Sequence, residues 1–289
     1  MDSLHDLIQF VFAGLTVGAI YALVALGFGV VHNTMGIVNF TQVDFVSLGG
    51  MILYSALVTA GLPMAPALLT AVAGVTLVAI LVEVVGIRPA RSESHLVLIF
   101  LTIGLSIILR GAMKLIWGKT RMAVPPLSGE TPVHLAVATI LPQTLWILAL
   151  TTLAIIGLVL FFRKTSLGLA MRGVAANPEA AAVVGLKVWQ LKAVSFALAG
   201  ALGGLAGCLV TPITTLSYDV GVLLGLKGFA AAILGGFGSF PGAILGGLIL
   251  GLLESLGTYF SSAYKDVIAF IVLLLVLFIR PRGLLGVTG

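Results

Sequence analysis

Long apolar segments recur along the whole chain, and they restrict its fold more than any other feature. They cover approximately 10–31, 37–60, 64–86, 95–117, 139–162, 191–211, 223–236, 240–258 and 264–280. Most are long enough to cross about 30 Å of hydrocarbon at about 1.5 Å per residue. Only 9% of the residues are charged, against about 25% in soluble domains. The sequence therefore predicts an all-α polytopic membrane protein, with about eight or nine helical segments in a single domain over residues 1–289.

The positions of Lys and Arg predict how the chain is oriented, because positive charge favours the cytoplasmic side. Basic residues lie within 163–192, at Arg88, and at Arg280 and Arg282, so these regions are expected inside. Segments 223–236 and 240–258 must then enter and leave from the outer side as one excursion. The first of them reaches only about 21 Å. We therefore predict a broken or re-entrant pair over 223–258, bent either within the membrane or at its cytoplasmic face.

A second basic group lies near the outer end of the segment 95–117. It consists of Arg110, Lys114, Lys119 and Arg121. Positive charge is disfavoured on that side. Two explanations remain open: the side chains face an acidic partner protein, or they extend along apolar surface to the lipid headgroups.

Glycines four residues apart recur in two of the apolar segments. Such pairs allow helix backbones to approach closely in lipid, and we predict that they lie at helix–helix contacts. The pairs are Gly200 and Gly204, Gly203 and Gly207, Gly242 and Gly246, and Gly247 and Gly251.

Several function classes lack their sequence signals. No G-x-x-x-x-G-K-[ST] motif occurs, so we expect no ATP site of the P-loop type. No H-E-x-x-H occurs and the histidines are far apart, so we expect no metal, no cofactor and no catalysis. The Lys and Arg residues are too scattered for a nucleic-acid-binding face. An ion-coupled secondary transporter, with Asp44 or Glu254 as its cation site, remains an alternative from another class.

The stretch RGVAANPEAAAVVGLKV at 172–188 carries the signals of a short helix exposed to water. Asn177 is a suitable N-cap, Pro178 suits the first helical position, and Glu179 favours the positive end of the helix dipole. Gly185 is a suitable stop. A helix of about two turns is marginal in water. It is therefore expected to dock, either on its own protein or on a separate cytoplasmic protein.

Three stretches of the chain resemble the integral membrane permeases of branched-chain amino acid ABC transporters. They are GAIYALVALGFGVVHNTMGIVNF (18–40), TSLGLAMRGVAANPEAAAVVGLKV (165–188) and GLKGFAAAILGGFGSFPGAILGG (225–247). In that family the middle stretch is the coupling helix, which docks in a groove of the ATP-binding subunit. The resemblance implies that the cytoplasmic loop 163–190 has this role here. The implied contact residues are Arg172, Asn177, Pro178, Glu179, Ala180, Ala181 and Gly185.

The resemblance also implies a function and a set of partners. The chain would be the non-catalytic permease subunit of an ATP-driven importer for branched-chain or related apolar amino acids, in the inner membrane. Its partners would be a homologous, commonly non-identical second permease, two cytoplasmic ATP-binding subunits and an external solute-binding protein. Permeases for urea, short amides or aromatic acids belong to the same family and remain an alternative.

Two polar stretches are candidates for the route of the solute. Asn39, Gln42 and Asp44 begin an apolar segment, and an ionised Asp in mid-bilayer costs on the order of 2.5–3.5 kcal/mol. Such a residue is expected to face a cavity or a partner, although capping a helix or lying at the membrane surface is an alternative. Ser239 and the free amides of GGFGSFPG (235–242) are the second candidate. The alternative there is a tight turn between packed helices.

Overall fold

The computed structural model describes residues 2–90, 94–129, 131–135, 138–260 and 265–286, and most of them are helical. The helices are α1 (Asp2–Met35), α2 (Gln42–Tyr54), α3 (Met64–Leu81), α4 (His95–Trp117), α5 (Pro142–Lys164), α6 (Ser166–Ala176), α7 (Pro178–Val183), α8 (Val188–Val210), α9 (Val220–Gly235), α10 (Phe240–Phe260) and α11 (Lys265–Ile279). Short π-helical segments, Ser55–Thr59 and Val82–Ile87, extend α2 and α3, and a 3-10 turn, Thr211–Ile213, follows α8. A hairpin of β1 (Val133–Leu135) and β2 (Ala138–Ile140) precedes α5.

Within the described residues, seven helices are long and apolar enough to cross a membrane. They are α1, α2 and α3 with their π-helical extensions, α4, α5, α8 and α10. Helix α9 is apolar but has only 16 residues, or about 24 Å. The predicted all-α polytopic architecture is confirmed.

Helix α1 forms the centre of the protein. Every residue from Gly18 to Val31 is buried, and α10, α8, α9 and α5 pack around it. A helix that is apolar on all sides is expected in such a position. By contrast, the most apolar windows of α3, α4 and α5 are only 28%, 17% and 22% buried. These three helices therefore form the periphery of the described part of the chain.

The paired glycines lie at helix contacts, as predicted. On α8, Gly200 and Gly204 face α3, whereas Gly203 and Gly207 face α2. A Cβ atom at Gly207 would meet the carbonyl oxygen of Val46. On α10 the pairs divide in the same way: Gly247 and Gly251 lie against α1, and Gly242 and Gly246 lie against α9. Two glycine rows per helix thus allow two neighbours to pack closely.

A four-residue bend, 236–239, joins α9 to α10, and its Gly236 and Gly238 have φ angles of 107° and 91°. The Asn33 side-chain amide donates to the carbonyl of Gly238 at 2.8 Å. The backbone amides of residues 284–285 donate to the last two carbonyls of α9 at 2.9 and 2.8 Å. The bend therefore lies beside the end of α1 and the basic C-terminal segment. Whether the bend lies within the membrane or at its cytoplasmic face stays a prediction.

The close contact of α8 with α2 leads to a test by substitution. We expect Gly207→Val to lower the free energy of unfolding by at least about 1–3 kcal/mol, because the added carbons overlap backbone that has no room to move. Gly157→Val in α5 is the matched control, since a Cβ there meets nothing within 4 Å. Thermal unfolding in detergent measures both. Equal melting temperatures for the two variants would contradict this account of the packing.

Candidate functional site

Asn39 lies in a short non-helical stretch at the start of the predicted segment 37–60. Helix α2 begins only at Gln42, so the predicted start was wrong. The Asn39 side-chain oxygen accepts from the Thr41 amide at 3.1 Å and from the Thr41 hydroxyl at 2.7 Å. The Thr102 hydroxyl, which lies about 10 Å along α4, accepts from the Phe40 amide at 3.2 Å. Irregular backbone at membrane depth requires such partners, and here the protein itself supplies them.

Gln42 fills the space between α1, α2 and α8. Its side-chain amide donates to the carbonyl of Ala199 on α8 at 3.2 Å. Gly27 of α1 and Gly203 of α8 lie directly against the same amide, so a larger residue at either position would displace it. Gln42 thereby connects the start of α2 to the middle of α8.

Asp44 forms an ion pair with Arg110 of α4, with 3.0 Å between the carboxylate oxygen and Nε. The Asp44 side chain is 1% exposed and the Arg110 side chain is 31% exposed. Arg110 also donates to the Ser106 hydroxyl at 2.8 Å. For Arg110, both explanations offered by the sequence are therefore corrected, because its acidic partner is Asp44 of the same chain and neither a separate protein nor a lipid headgroup.

The structure brings three of the four predicted pathway residues together. Asn39 and Gln42 are fully buried and Asp44 is 1% exposed, so all three lie inside the protein where α1, α2, α4 and α8 meet. Ser239 lies apart from them, in the bend before α10, where its hydroxyl accepts from the Gly242 amide at 3.2 Å. A role in the pathway stays a prediction for all four residues.

A second buried ion pair joins α9 to α10. Lys227 Nζ lies 2.7 Å from a carboxylate oxygen of Glu254, and the Tyr21 hydroxyl of α1 donates to the other oxygen at 2.6 Å. We refer to these three residues as the Lys–Glu–Tyr cluster. The sequence analysis left Glu254 without a partner and did not single out Lys227. The sequence does contain a signal for this ion pair, which is a lone lysine in the apolar segment 223–236. A charge in such a segment requires an opposite charge nearby.

The predicted water-exposed helix is present as α7. The Asn177 side-chain oxygen accepts from the Ala180 amide at 2.9 Å, and Pro178 occupies the first turn. Gly185 has a φ of 86°. The backbone amide of Gly185 donates to the carbonyl of Ala182 at 3.0 Å. The backbone amide of Leu186 donates to the carbonyl of Ala181, also at 3.0 Å. These two bonds are those of a Schellman motif, so both ends of the helix are capped as the sequence predicts.

The predicted contact residues of this helix are exposed, with one exception. The exposed contact residues are Arg172, Asn177, Pro178, Glu179, Ala180 and Gly185. Ala181 is 5% exposed and belongs to the same core cluster as Leu191 of α8, so its side chain packs on this chain. Val183 and Val184 are 88% and 76% exposed. Sequence reasoning did not single them out, although two valines in a row on a water-exposed helix indicate a covered surface.

A cavity of about 900 Å³ opens between α7 and the ends of the membrane helices. Pro178 and Glu179 line it on one side, and His32 and His95 on another. Arg88 and Glu83, whose side chains are 2.7 Å apart, also line it. Helix α7 therefore faces the ends of α1, α3, α4 and α8 across this cavity. Among the described residues, no three His, Cys, Asp or Glu side chains are grouped as a metal site.

The ion pair of α2 and α4 can be tested by removing its charges one at a time. We expect Arg110→Leu to lower the free energy of unfolding by about 3–5 kcal/mol, because the Asp44 carboxylate is left buried without a counter-charge. Adding Asp44→Ala should recover most of that loss. Lys119→Leu, an exposed charge from the same basic group, should change stability by less than about 0.5 kcal/mol. Thermal unfolding in detergent gives all three values; a double variant as unstable as Arg110→Leu would contradict the pairing.

Known proteins are similar to this chain along nearly all of its length. High-affinity branched-chain amino acid transport system permease protein LivH of Escherichia coli is 33% identical over 295 residues, which cover 96% of this chain and 95% of LivH. The corresponding protein BraD of Pseudomonas aeruginosa is 33% identical over 302 residues, covering 99% and 98%. A probable LivH of Methanocaldococcus jannaschii is 30% identical and covers 92% and 88%. The family model described as "Branched-chain amino acid transport system / permease component" matches residues 10–277. The chain therefore belongs to this family of transport-system permeases.

Proposed function

We propose that this chain is the membrane-spanning subunit of an ATP-driven importer for branched-chain or related apolar amino acids. The observation that carries the proposal is α7: a capped helix that exposes Val183 and Val184 beside the ends of the membrane helices, in a chain of this family. The names of LivH and BraD, which describe high-affinity branched-chain amino acid transport, support the choice of solute. Urea, short amides and aromatic acids remain the nearest alternatives.

The assembly we propose contains a homologous second permease, two cytoplasmic ATP-binding subunits and an external solute-binding protein, in the inner membrane. The exposed apolar faces of α3, α4 and α5 leave room for a second permease as well as for lipid. The chain has no P-loop motif of its own, so the ATP-binding subunits would perform the hydrolysis. This permease would do no covalent chemistry.

Helix α8 is the element that would carry movement from the ATP-binding subunits into the membrane. The buried Ala181 of α7 shares a core cluster with Leu191, in the first turn of α8. Further along, α8 packs closely on both α2 and α3 through its two glycine rows. It also accepts the hydrogen bond from Gln42. A displacement of loop 163–190 would therefore reach Asn39, Gln42 and Asp44, the proposed pathway residues of α2, through α8.

Ion-coupled transport has less support. That mechanism requires a carboxylate that takes up and releases a cation. Asp44 already pairs with Arg110, and Glu254 already pairs with Lys227. Both carboxylates are thus neutralised by basic side chains of the same chain. Ser239 would line the proposed pathway at the bend between α9 and α10.

Transport by purified components tests the proposed function. Vesicles would contain both permeases and both ATP-binding subunits, with the solute-binding protein added outside and ATP inside. We expect leucine uptake that requires ATP and exceeds uptake of urea or benzoate. Vesicles without the ATP-binding subunits are the control and should take up none. Uptake that persists there and follows a proton gradient would contradict an ATP-driven importer.

The docking role of α7 leads to a separate prediction. We expect Glu179→Arg combined with Val183→Asp to reduce copurification of the ATP-binding subunits at least about tenfold, equivalent to about 1.4 kcal/mol of binding free energy. Both side chains are exposed, so membrane insertion should persist. Lys187→Glu, an exposed charge change in the same loop, is the matched control. Undiminished copurification of the double variant would count against docking through α7.

A further inference from the structure

We infer that the Lys–Glu–Tyr cluster is a binding site for the charged backbone of the amino acid solute. The Glu254 carboxylate would hold the solute's α-ammonium group, and the Lys227 ammonium would hold its α-carboxylate. The inference rests on the proposed function and deepens it, because it assigns the solute's two charges to named residues. None of the residues predicted from the sequence to line the pathway belongs to this cluster.

The cluster lies away from the ends of the three helices that form it. Counted from the ends of α1 and α10 that lie beside the bend, Tyr21 and Glu254 are each about 21 Å along their helices. The side chains of Lys227 and Glu254 are 7% and 11% exposed. They are therefore largely withdrawn from their surroundings, and three different helices contribute to the site.

Stability alone is a weak reason for such a pair. Burying two charges costs free energy that their attraction repays only in part, and apolar residues of similar volume often stabilise a protein as well or better. An apolar chain with few charges has little need of an ion pair at this position. A zwitterion, however, presents one charge of each sign. It can replace each partner in turn, so that neither Lys227 nor Glu254 is left without a counter-charge as the pair separates.

The surroundings of the cluster also fit an apolar amino acid. Leu223 lies one helical turn before Lys227 on the same face of α9 and is 56% exposed. Its exposed side chain offers apolar surface about one helical turn from the cluster. The Tyr21 ring centroid is 5.8 Å from Lys227 Nζ, so an aromatic face borders the place where cationic groups lie.

Helix α9 would separate from α10 at the bend that joins them. Its Gly221 and Gly225 lie against α2 and its Gly228 lies against α1, while its Phe229 packs on the ring of Phe28 of α1. Its link to α10 is the bend with the positive φ angles at Gly236 and Gly238. Lys227 lies on α9 before this bend and Glu254 lies on α10 after it. Opening α9 at the bend would therefore part the two charges and admit the solute between them.

The decisive variant replaces all three polar groups by apolar ones: Tyr21→Phe, Lys227→Met and Glu254→Leu together. If the cluster only holds helices together, this variant should assemble and transport like the wild type. We expect it to assemble with the ATP-binding subunits but to lose at least tenfold in ATP-dependent leucine uptake. Ser255→Ala is the matched control, because it removes the neighbouring bond from α10 to the Phe10 carbonyl without removing a charge. It should stay within twofold of the wild type.

A second variant covers the case in which the triple variant does not fold. Lys227→Arg keeps the positive charge and the ion pair but changes the position of the donor groups. We expect it to assemble normally and to raise the KM for leucine several-fold, with a smaller change in kcat. A normal KM in this variant, or wild-type uptake by the triple variant, would overturn the inference.

Direct binding separates this inference from the proposed function. The permease pair in detergent, without the solute-binding protein, would be titrated with radiolabelled leucine. Unlabelled leucine should compete, whereas leucinamide and 4-methylpentanoate, which each lack one of the two backbone charges, should compete at least tenfold less well. A wild type that binds leucine in this way but shows no ATP-dependent uptake would contradict only the proposed function. Normal ATP-dependent uptake by the triple variant would contradict only the role of the cluster.

Discussion

Hydrocarbon offers no hydrogen-bond partner, so each polar group that this chain carries into the membrane depends on the protein for one. Asp44 has Arg110, Glu254 has Tyr21, and the backbone amide of Phe40 in the non-helical segment before α2 has Thr102. In each case the partner comes from a different part of the chain. The polar contacts therefore fix which helices are neighbours, a choice that apolar packing between similar helices specifies only weakly.

Close packing by glycine complements these polar contacts. Because α8 carries one glycine row toward α2 and another toward α3, its backbone lies against both helices with little side-chain material between them. A contact of this kind leaves no free space between the two backbones. Because interiors packed at high density transmit displacement, a shift of one helix moves the other. Helix α8 also follows directly after α7. The same property that holds the core together thus gives the cytoplasmic helix a mechanical connection to the membrane interior.

The features predicted correctly from the sequence are those that neighbouring residues determine. The apolar segments and the caps of α7 are local: Asn177, Pro178 and Gly185 satisfy the ends of a helix that is only six residues long. The glycine rows were also predictable, because four-residue spacing places them on one face. The start of α2 was not, because the partner of the Phe40 amide, Thr102, lies 62 residues away. The partners of Asp44 and Glu254 were missed for the same reason, since no local pattern indicates which helices meet.

The two ion pairs differ in a way that bears on their roles. Arg110 is 31% exposed and lies on α4, a peripheral helix whose most apolar window is 17% buried, so its pair with Asp44 holds an outer helix against the core. Lys227 and Glu254 lie on two helices that are consecutive in the chain and joined by a glycine bend. Such helices stay neighbours through their short connection and need no ion pair to find one another. A charge pair between them therefore contributes little to specifying the fold, and this makes a role in binding the better explanation for it.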